Sequence, residues 1–308
     1  MAKRLLSALY PFVLWLLLSG CGEDDDGPWV VNADISGNSA EALYVAGYVT
    51  GCSCEDGGFV KRYSNGSWST VYETETWLWG VWVGEQGEVA AVGDWTVVLF
   101  EDGVWRETSV DGVTALQGVW GTGLTDLFAV GQEGAILHYD GIDWVPMESP
   151  VMDDLEGVWG TASDDVFAVG RNGLILHFDG IEWNTMNSGT TEDLNAVWGL
   201  GPDDVYAVGG SETTRRHVIV HYDGAVWTTV REGEPYHLLG VHGTAPDNIY
   251  AVGAERAGDD VKSAVLHYDG AVWTKSTPKT EQFLWDVWAH PDGGATVVGP
   301  DNTLKRLK

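Results

Sequence analysis

A unit of about 39 residues recurs seven times along most of this 308-residue chain. Each unit contains an Ala-Val-Gly step or a close variant, whose glycine falls at positions 47, 93, 131, 170, 209, 253 and 299. The repetition is clearest between residues 116–131 and 155–170, where most positions are identical. A unit this short cannot bury its own apolar face, so the units must pack against one another.

Each unit divides into four short runs that are typical of β-strands and are separated by turn residues. Run A is Leu-x-Gly-Val-Trp, run B is Asp-Val-Phe-Ala-Val-Gly, run C is Ile-Leu-His-Tyr, and run D carries a Trp. An Asp-Gly pair joins run C to run D and predicts a tight hairpin. Four strands per unit predict an all-β, seven-bladed β-propeller in which Trp side chains pack between blades.

The two ends of the repeat region predict how the ring closes. The seventh unit has runs A, B and C, but no run D follows Gly299 in the sequence. Residues 26–31 resemble a run D, yet Trp29 lies only three residues before Asn32, where the first inner strand should start. Three residues span about 10 Å, whereas crossing a blade needs about 14 Å. We therefore expect residues 29–35 in or just before the inner strand of blade 1, and a last blade without its own outer strand.

The N-terminus has the features of a secretory signal. Lys3 and Arg4 precede an apolar run over 5–18, which is too short for a good membrane span. Leu18-Ser19-Gly20-Cys21 resembles the lipobox of bacterial lipoproteins. This resemblance implies cleavage before Cys21 and a diacylglycerol on its sulfur, hence a stable membrane anchor. The expected organisation is a signal peptide at 1–20, an acidic tether with lipidated Cys21 at 21–28, and the propeller at 29–308, in the bacterial cell envelope and most simply at the outer membrane.

The charge of the chain limits its partners. Lys and Arg number 16 against 46 Asp and Glu, a formal net charge of −30. Nucleic acid is excluded as a partner because binding phosphates requires clustered basic residues. The same charge disfavours electrostatic docking on anionic lipid, so the expected membrane contact is through the anchor only.

The repeat unit itself resembles a known type of propeller repeat. Its Val-Trp-Gly, Asp-Val-Phe-Ala-Val-Gly and His-Tyr-Asp-Gly-x-x-Trp steps are similar to those of secreted and lipid-anchored proteins of myxobacteria-like bacteria. More distantly, they resemble Asp-box and photosystem-assembly-factor propellers. The resemblance implies the fold and leaves the activity open, because propellers host unrelated functions.

Residues that recur in every blade are predicted to be structural. The run C histidines are held apart by the blade symmetry and cannot share a metal ion; they are His138, His177, His221 and His267. The aspartates of the Asp-Gly pairs are interpreted as turn residues; they are Asp140, Asp179, Asp223 and Asp269. We expect no metal and no cofactor.

Departures from the repeat are the better functional candidates. The connection between runs B and C is longer in blades 1, 5 and 6 than in blades 2 to 4, and all these connections should emerge on one face. We predict a recognition surface there, carried by Arg215, Arg216, His217, Arg256 and Lys262. Cys52 and Cys54 lie in the blade 1 connection, and a disulfide between them is possible. The sequence leaves open whether they pair with each other. His242 and His290 are a further candidate ligand pair in the central channel.

The favoured function is a lipid-anchored binding or scaffolding module of the cell envelope, without enzymatic activity. Its partner would be an envelope protein or a glycan. The alternatives are a lectin-like propeller, which needs the same exposed aromatic and polar set in several blades, and an Asp-box-type glycoside hydrolase, which needs an arginine cluster, an acid and a Tyr nucleophile.

Overall fold

The strands of the protein form seven separate antiparallel sheets. The computed structural model describes residues 29–39, 42–50, 56–211, 216–233, 236–257, 260–276, 283–300 and 303–307. Six sheets have four strands and the last has three, and within each sheet the strands follow one another in chain order. The predicted seven-bladed propeller and its incomplete last blade are confirmed. The predicted signal peptide and tether lie outside the described residues.

The first four blades contain sixteen strands. Blade 1 contains β1 (Trp29–Ser39), β2 (Ala42–Thr50), β3 (Gly57–Ser64) and β4 (Ser67–Thr74). Blade 2 contains β5 (Leu78–Val83), β6 (Val89–Gly93), β7 (Thr96–Glu101) and β8 (Val104–Ser109). Blade 3 contains β9 (Leu116–Gly123), β10 (Asp126–Gly131), β11 (Ile136–Tyr139) and β12 (Trp144–Pro146). Blade 4 contains β13 (Leu155–Ala162), β14 (Asp165–Gly170), β15 (Ile175–Phe178) and β16 (Trp183–Met186).

The last three blades contain eleven strands. Blade 5 contains β17 (Leu194–Gly201), β18 (Asp204–Ser211), β19 (Arg216–Tyr222) and β20 (Trp227–Gly233). Blade 6 contains β21 (Tyr236–Ala245), β22 (Asn248–Ala257), β23 (Asp260–Tyr268) and β24 (Trp273–Ser276). Blade 7 contains β25 (Asp286–Ala289), β26 (Ala295–Val298) and β27 (Leu304–Leu307). In the described part of the chain, the helical segments are two single 3₁₀ turns, Gln132–Gly134 and Arg171–Gly173, and no helix combines the length and hydropathy that a membrane crossing needs.

The core of the molecule lies between neighbouring blades. The first strand of each blade packs against the first strands of its neighbours, and β25 of blade 7 packs against β1 of blade 1, which closes the ring. Each apolar cluster combines residues of two adjacent blades, so both faces of every sheet are covered. This is why β6, for example, is apolar without alternation and buried at all five positions.

Tryptophans of the outer strands fill the gaps between blades, as predicted. Trp183 of blade 4 lies with its ring centroid 6.3 Å from that of Phe128 in blade 3. Trp227 stands in the same edge-on relation to Phe167, at 6.0 Å. These large rings bury much apolar surface at the periphery, where the blades diverge.

The turns between third and fourth strands are of two kinds. In blade 2, Asp102 and Gly103 have φ values of 52° and 79°, the two-residue hairpin that the sequence predicts. In blades 3 to 6 the turn is longer, and the aspartate instead accepts hydrogen bonds at its side chain. Asp140 Oδ1, for example, accepts from the backbone N–H groups of Ile142 at 2.9 Å and Asp143 at 3.0 Å. These aspartates are turn residues, as predicted, and the predicted hairpins form, but in these four blades four residues join the strands instead of two.

The ring closes through β1, which begins earlier than the repeat requires. Trp29 pairs with Thr50, so residues 29–35 lie in the inner strand, as expected. Asn32 stands where the other blades have leucine, and its amide donates to the carbonyl oxygens of Gly299 at 3.4 Å and Thr303 at 3.3 Å. These bonds join the first blade to the last. In many propellers the ring is closed instead by an N-terminal strand that forms the fourth strand of the last blade.

Candidate functional site

A central channel runs through the disc between the seven inner strands. It contains a cavity of about 260 Å³, lined by residues from the inner strands of all seven blades. Its lining includes Asp154 and Arg171, which lie towards the face where second and third strands are joined, which we call the B–C face. It also includes Trp82 and Trp120, which lie closer to the face where first and second strands are joined. The cavity is large enough for a small molecule, and its two ends differ in chemistry.

Aromatic rings line the end away from the B–C face. Trp82, Trp120, Trp198 and His242 occupy the same position in four different blades and border the cavity. His242 Nδ1 accepts a hydrogen bond from the backbone N–H of Ala289 at 3.1 Å, and burial lowers its pKa to about 3. The imidazole is therefore neutral and takes part in joining blade 6 to blade 7.

The second histidine considered for this channel is engaged elsewhere. His290 is buried, and its Nε2 lies 2.8 Å from the hydroxyl oxygen of Thr296 in its own blade. The structure gives no sign that His242 and His290 act as a ligand pair. In the described part of the chain, no three His, Cys, Asp or Glu side chains are grouped as metal ligands.

Two aspartates of the channel lining are in contact with each other. Asp34 of β1 and Asp286 of β25 are hydrogen-bonded to each other. Asp34 also accepts from the backbone N–H groups of Ile35 at 2.8 Å and Val81 at 2.6 Å, while Asp286 accepts from Ile35 at 3.2 Å. Burial raises the pKa of both carboxyl groups, and the charge of Asp34 raises that of Asp286 further. The pair therefore holds a proton and links blades 7, 1 and 2.

The position of these aspartates in the repeat explains their role. The equivalent residue is glycine in four blades, namely Gly80, Gly118, Gly157 and Gly240. At Gly157, an added Cβ would lie 3.1 Å from the carbonyl oxygen of Asn195 in the next blade, so the inner strands approach closely there. Where blades 7, 1 and 2 meet, carboxyl groups instead bond to the backbone of the next inner strand: Asp286 accepts from Ile35, and Asp34 accepts from Val81. We did not predict this pair from the sequence, although aspartate within a column of glycines was a visible signal.

A further acid of the channel, Glu156, lies at its B–C end. The Glu156 side chain is 8% exposed, and its Oε1 lies 3.4 Å from Arg171 Nε. Arg171 also forms an ion pair with Asp154 at 3.0 Å. Burial raises the pKa of Glu156 to about 7, although the positive charge of Arg171 opposes the shift. Charged groups thus converge at this mouth, and they are paired with one another.

The repeated histidines have the structural role that the sequence predicts. His177 Nε2 lies 2.7 Å from Asp165 Oδ1, and its ring stacks on Phe167 at 4.5 Å. The same contacts recur at His138 with Asp126 and at His221 with Asp204, both at 2.7 Å. Each histidine joins the third strand of its blade to the second.

The predicted recognition loops are mostly extended hairpins. In blade 5, β18 continues to Ser211 and pairs there with Arg216 of β19. In blade 6, β22 continues to Ala257, paired with Asp260 of β23. In blades 3 and 4 the second strand ends at the repeat glycine instead. The long connections that were predicted as loops are therefore extensions of the paired second and third strands beyond the B–C face.

The candidate recognition residues are placed differently from one another. Arg216 and Lys262 are exposed on these hairpins, and Arg216 pairs with Glu232 at 3.5 Å. His217 is 2% exposed and accepts a hydrogen bond from Arg231 at 3.3 Å. Burial and the charge of Arg231 lower the pKa of His217 to about 4. His217 thus packs within the hairpin and is not presented on its surface.

Several predicted residues lie outside what the structure describes. These are Cys21, Cys52, Cys54 and Arg215, together with the side chain of Arg256. Lipidation of Cys21, a disulfide between Cys52 and Cys54, and recognition by the two arginines stay predictions.

Two features required by the alternative functions are missing from the described residues. The repeated tryptophans of runs A and D are buried or half-buried, so they do not form the equivalent exposed platforms that a repeated-site lectin needs. Among the channel-lining residues, Arg171 is the single arginine, and it is paired with acids. A carboxylate-binding arginine cluster of the sialidase kind is therefore absent from the channel lining.

Comparison with known proteins identifies the fold. No protein-family model and no curated protein matches the chain. Among solved structures, the WD40 β-propeller domain of Doa1 matches with a TM-score of 0.70 at 9% identity, over 92% of this chain and 94% of that one. A structure of YCF48 bound to D1 peptide matches with a TM-score of 0.65 at 17% identity, over 92% and 98%. A chain of the Mitotic Checkpoint Complex matches with a TM-score of 0.64 at 16% identity, over 91% and 90%. The chain is thus a seven-bladed β-propeller, distantly similar to WD40 and YCF48 propellers.

Proposed function

We propose that the protein is a lipid-anchored binding module of the bacterial cell envelope that presents the hairpins of its B–C face to another protein. The observation that carries the proposal is the set of long ladders in blades 1, 5 and 6, which rise from one face of a closed ring. Arg216 and Lys262 are exposed on two of them, in a chain whose net charge is −30. A rigid frame that holds such elements needs little ordering when a partner binds.

The structural neighbours support a role in protein interaction. One is described as bound to D1 peptide and another as part of the Mitotic Checkpoint Complex. A propeller offers wide faces and a fixed loop geometry, and it requires no catalytic group for such a role. The proposed partner is a protein that carries acidic residues against Arg216 and Lys262.

The proposed anchor would restrict the orientation of the disc. The inner strand β1 begins at Trp29 on the B–C face, because Trp29 pairs with Thr50 at the raised end of β2. The seven residues between Cys21 and Trp29 span at most about 25 Å when extended. A lipid on Cys21 would therefore keep the B–C face near the membrane, where it would meet partners embedded in or attached to that membrane.

The anchor is tested by labelling cells with an alkyne-tagged fatty acid. We expect the full chain to incorporate the label and to sediment with membranes. Cys21→Ser should lose both properties, whereas a Cys52→Ser control should keep them. Label that persists in Cys21→Ser would overturn the lipoprotein proposal.

The recognition surface is tested by affinity purification from detergent-solubilised envelope. The bait is the full chain, compared with Arg216→Ser/Lys262→Ser and with Arg106→Ser as a matched control. Arg106 is 60% exposed on the outer strand of blade 2, away from the raised hairpins. We expect a partner whose yield falls at least tenfold with the double variant and is unchanged with the control. A partner retained by the double variant would place binding on another surface.

A further inference from the structure

Seven side chains form a ring around the B–C end of the central cavity. Each comes directly after the first leucine of its inner strand, or after Asn32 in blade 1, and all seven border the cavity. In blades 1 to 6 this residue is the extra residue of a β-bulge, because the pairing register shifts there. Bulges often redirect a side chain beside a functional site. We call this set the bulge ring; it consists of Ala33, Trp79, Gln117, Glu156, Asn195, Leu239 and Trp285.

Two tryptophans of the bulge ring stand on either side of its smallest member. Trp285, Ala33 and Trp79 belong to blades 7, 1 and 2, which are consecutive in the closed ring. Trp79 Nε1 donates a hydrogen bond to Asp94 Oδ1 at 2.9 Å. The ring of Trp285 lies edge-on to that of Phe283, with 5.0 Å between the centroids. These contacts hold both indole rings, so this side of the cavity has an aromatic wall.

Carboxyl groups border the same cavity from two sides. Asp34 and Asp286 come directly after Ala33 and Trp285 in the inner strands of blades 1 and 7. Glu156 lies in blade 4, which is opposite the junction of blades 7 and 1 in a ring of seven. The cavity therefore has acids across its width and indole rings beside them.

The charges that border the cavity do not cancel. Among the described lining residues Arg171 is the single Lys or Arg, and its ion pair with Asp154 at 3.0 Å balances one carboxylate. The Asp34–Asp286 pair holds one proton, which leaves one negative charge. Glu156 adds a second negative charge when it ionises. Negative charge that is withdrawn from water attracts a cation more strongly than the same charge at the surface.

One polar side chain of the bulge ring is available to a ligand. Gln117 borders the cavity in blade 3, beside Glu156 of blade 4. Its side-chain amide has no hydrogen bond with the part of the chain that the structure describes. The amide oxygen can therefore accept a hydrogen bond from a molecule in the cavity.

The lining fits an organic cation better than a metal ion. Indole rings are not metal ligands, and the described residues contain no group of three His, Cys, Asp or Glu that could hold a metal. The face of an indole ring attracts ammonium groups, most strongly where water is excluded. The cavity of about 260 Å³ is smaller than the roughly 300–1,000 Å³ sites of drug-sized molecules, so the ligand has few heavy atoms.

We propose that the central cavity binds a small organic ammonium ion between the indole rings of Trp79 and Trp285 and the carboxyl group of Glu156. The Asp34–Asp286 pair supplies negative charge on the side of blades 7 and 1. The site lies inside the ring and uses no residue of the raised hairpins. It therefore stands or falls independently of the proposed protein partner.

The test is isothermal titration calorimetry of the full chain in detergent at pH 8, with the chloride salts of choline, tetramethylammonium and butylammonium. We expect at least one of these ions to bind at one site per chain, with a Kd below about 1 mM. The uncharged isostere of choline, 3,3-dimethylbutan-1-ol, should bind at least tenfold more weakly than choline. Replacing NaCl in the buffer by an equal concentration of KCl should leave the affinity unchanged.

Two substitutions in the bulge ring change the affinity in opposite directions. Glu156→Gln keeps the shape of the side chain and removes its charge, so it should weaken binding at pH 8 at least tenfold. Gln117→Glu adds a carboxyl group to the ring and should tighten binding at least threefold, a gain that an unfolded variant cannot give. Glu182→Gln, at an exposed position of blade 4, is the matched control and should leave the affinity unchanged.

Binding should also release protons. Burial raises the pKa of Glu156 to about 7; the charge of Arg171 opposes this shift, and the charges of Asp154 and Asp193 add to it. A bound cation favours the ionised carboxylate, so the affinity should rise from pH 6 to pH 8, and titrations near pH 7 in buffers of different ionisation enthalpy should show proton release. Glu156→Gln should lose this release.

Four results would overturn the proposal. The first is that none of the three ions binds saturably up to 10 mM. The second is that the uncharged isostere binds as well as choline, and the third is that KCl displaces the bound ion. The fourth is that Glu156→Gln leaves both the affinity and the proton release unchanged.

Discussion

Replacing Glu156 by Gln should change how the stability of the protein depends on pH. Burial raises the pKa of Glu156 from its ordinary value of 4.5 to about 7. The folded protein therefore holds this proton more tightly than the unfolded chain. The resulting stabilisation is complete below pH 4.5 and is lost as the pH rises to about 7.

The size of the effect follows from the two pKa values. A tenfold difference in proton affinity corresponds to about 1.4 kcal/mol, so the interval from 4.5 to about 7 corresponds to about 3 kcal/mol. Because the side chain is only 8% exposed, solvent screening reduces this little. Glutamine keeps the shape and cannot ionise. Relative to the original protein, Glu156→Gln should therefore gain about 3 kcal/mol of stability between pH 4.5 and pH 8.

The assay is urea unfolding of both proteins at five pH values between 4.5 and 8.5, followed by circular dichroism. Glu182→Gln is the matched control, since Glu182 is an exposed glutamate of the same blade. The control should run parallel to the original protein across the range. If Glu156→Gln also runs parallel, the assigned burial of the Glu156 carboxyl group is refuted.

Three further changes test the packing of the ring. Asp286→Asn keeps a hydrogen-bonding group beside Asp34 but cannot ionise. Because burial and the Asp34 charge raise the pKa of Asp286 well above 3.8, the variant should gain stability in urea unfolding, relative to the original protein, as the pH rises above 3.8. A difference that does not change with pH would contradict the shared proton. Gly170→Ala places a Cβ 2.1 Å from a backbone carbonyl oxygen and should lower the free energy of unfolding by at least about 2 kcal/mol. In the control Gly123→Ala, the added Cβ meets no atom within 4 Å, and the free energy of unfolding should change by less than about 0.5 kcal/mol. Equal effects of the two substitutions would refute the close approach at Gly170. His177→Ala removes the contact with Asp165 and should lower the free energy of unfolding by about 1–3 kcal/mol, and with it the melting temperature, while partner binding is unchanged. A loss of binding without a loss of stability would show that this histidine is not structural.

The repeat predicts the architecture well because the same order of strand-like runs and turn residues occurs in seven units. Runs A and B are apolar on both sides, which only stacked sheets can accommodate, and the spacing of Trp29 from Asn32 was enough to predict an inner strand at 29–35. The turn at Asp140 was harder, since Asp-Gly is compatible with more than one turn, and the choice depends on the residues that follow.

The site was less predictable because it depends on how blades meet. Asp34 and Asp286 are more than 250 residues apart in the sequence, and only ring closure brings them together. His217 was expected in a loop, but pairing with Gly210 extends the ladder past the repeat glycine and buries the ring. The number of residues in a connection does not reveal whether they form a loop or extend two strands.

The most direct test of the account places a photo-crosslinking amino acid at one exposed position on each face in living cells. Position 56 is exposed in the blade 1 connection of the B–C face, and position 181, which is 87% exposed, lies in a turn on the opposite face. The account predicts a crosslinked partner protein from position 56, lost when Arg216 and Lys262 are changed to Ser, and none from position 181. A partner crosslinked from position 181 and not from position 56 would contradict it.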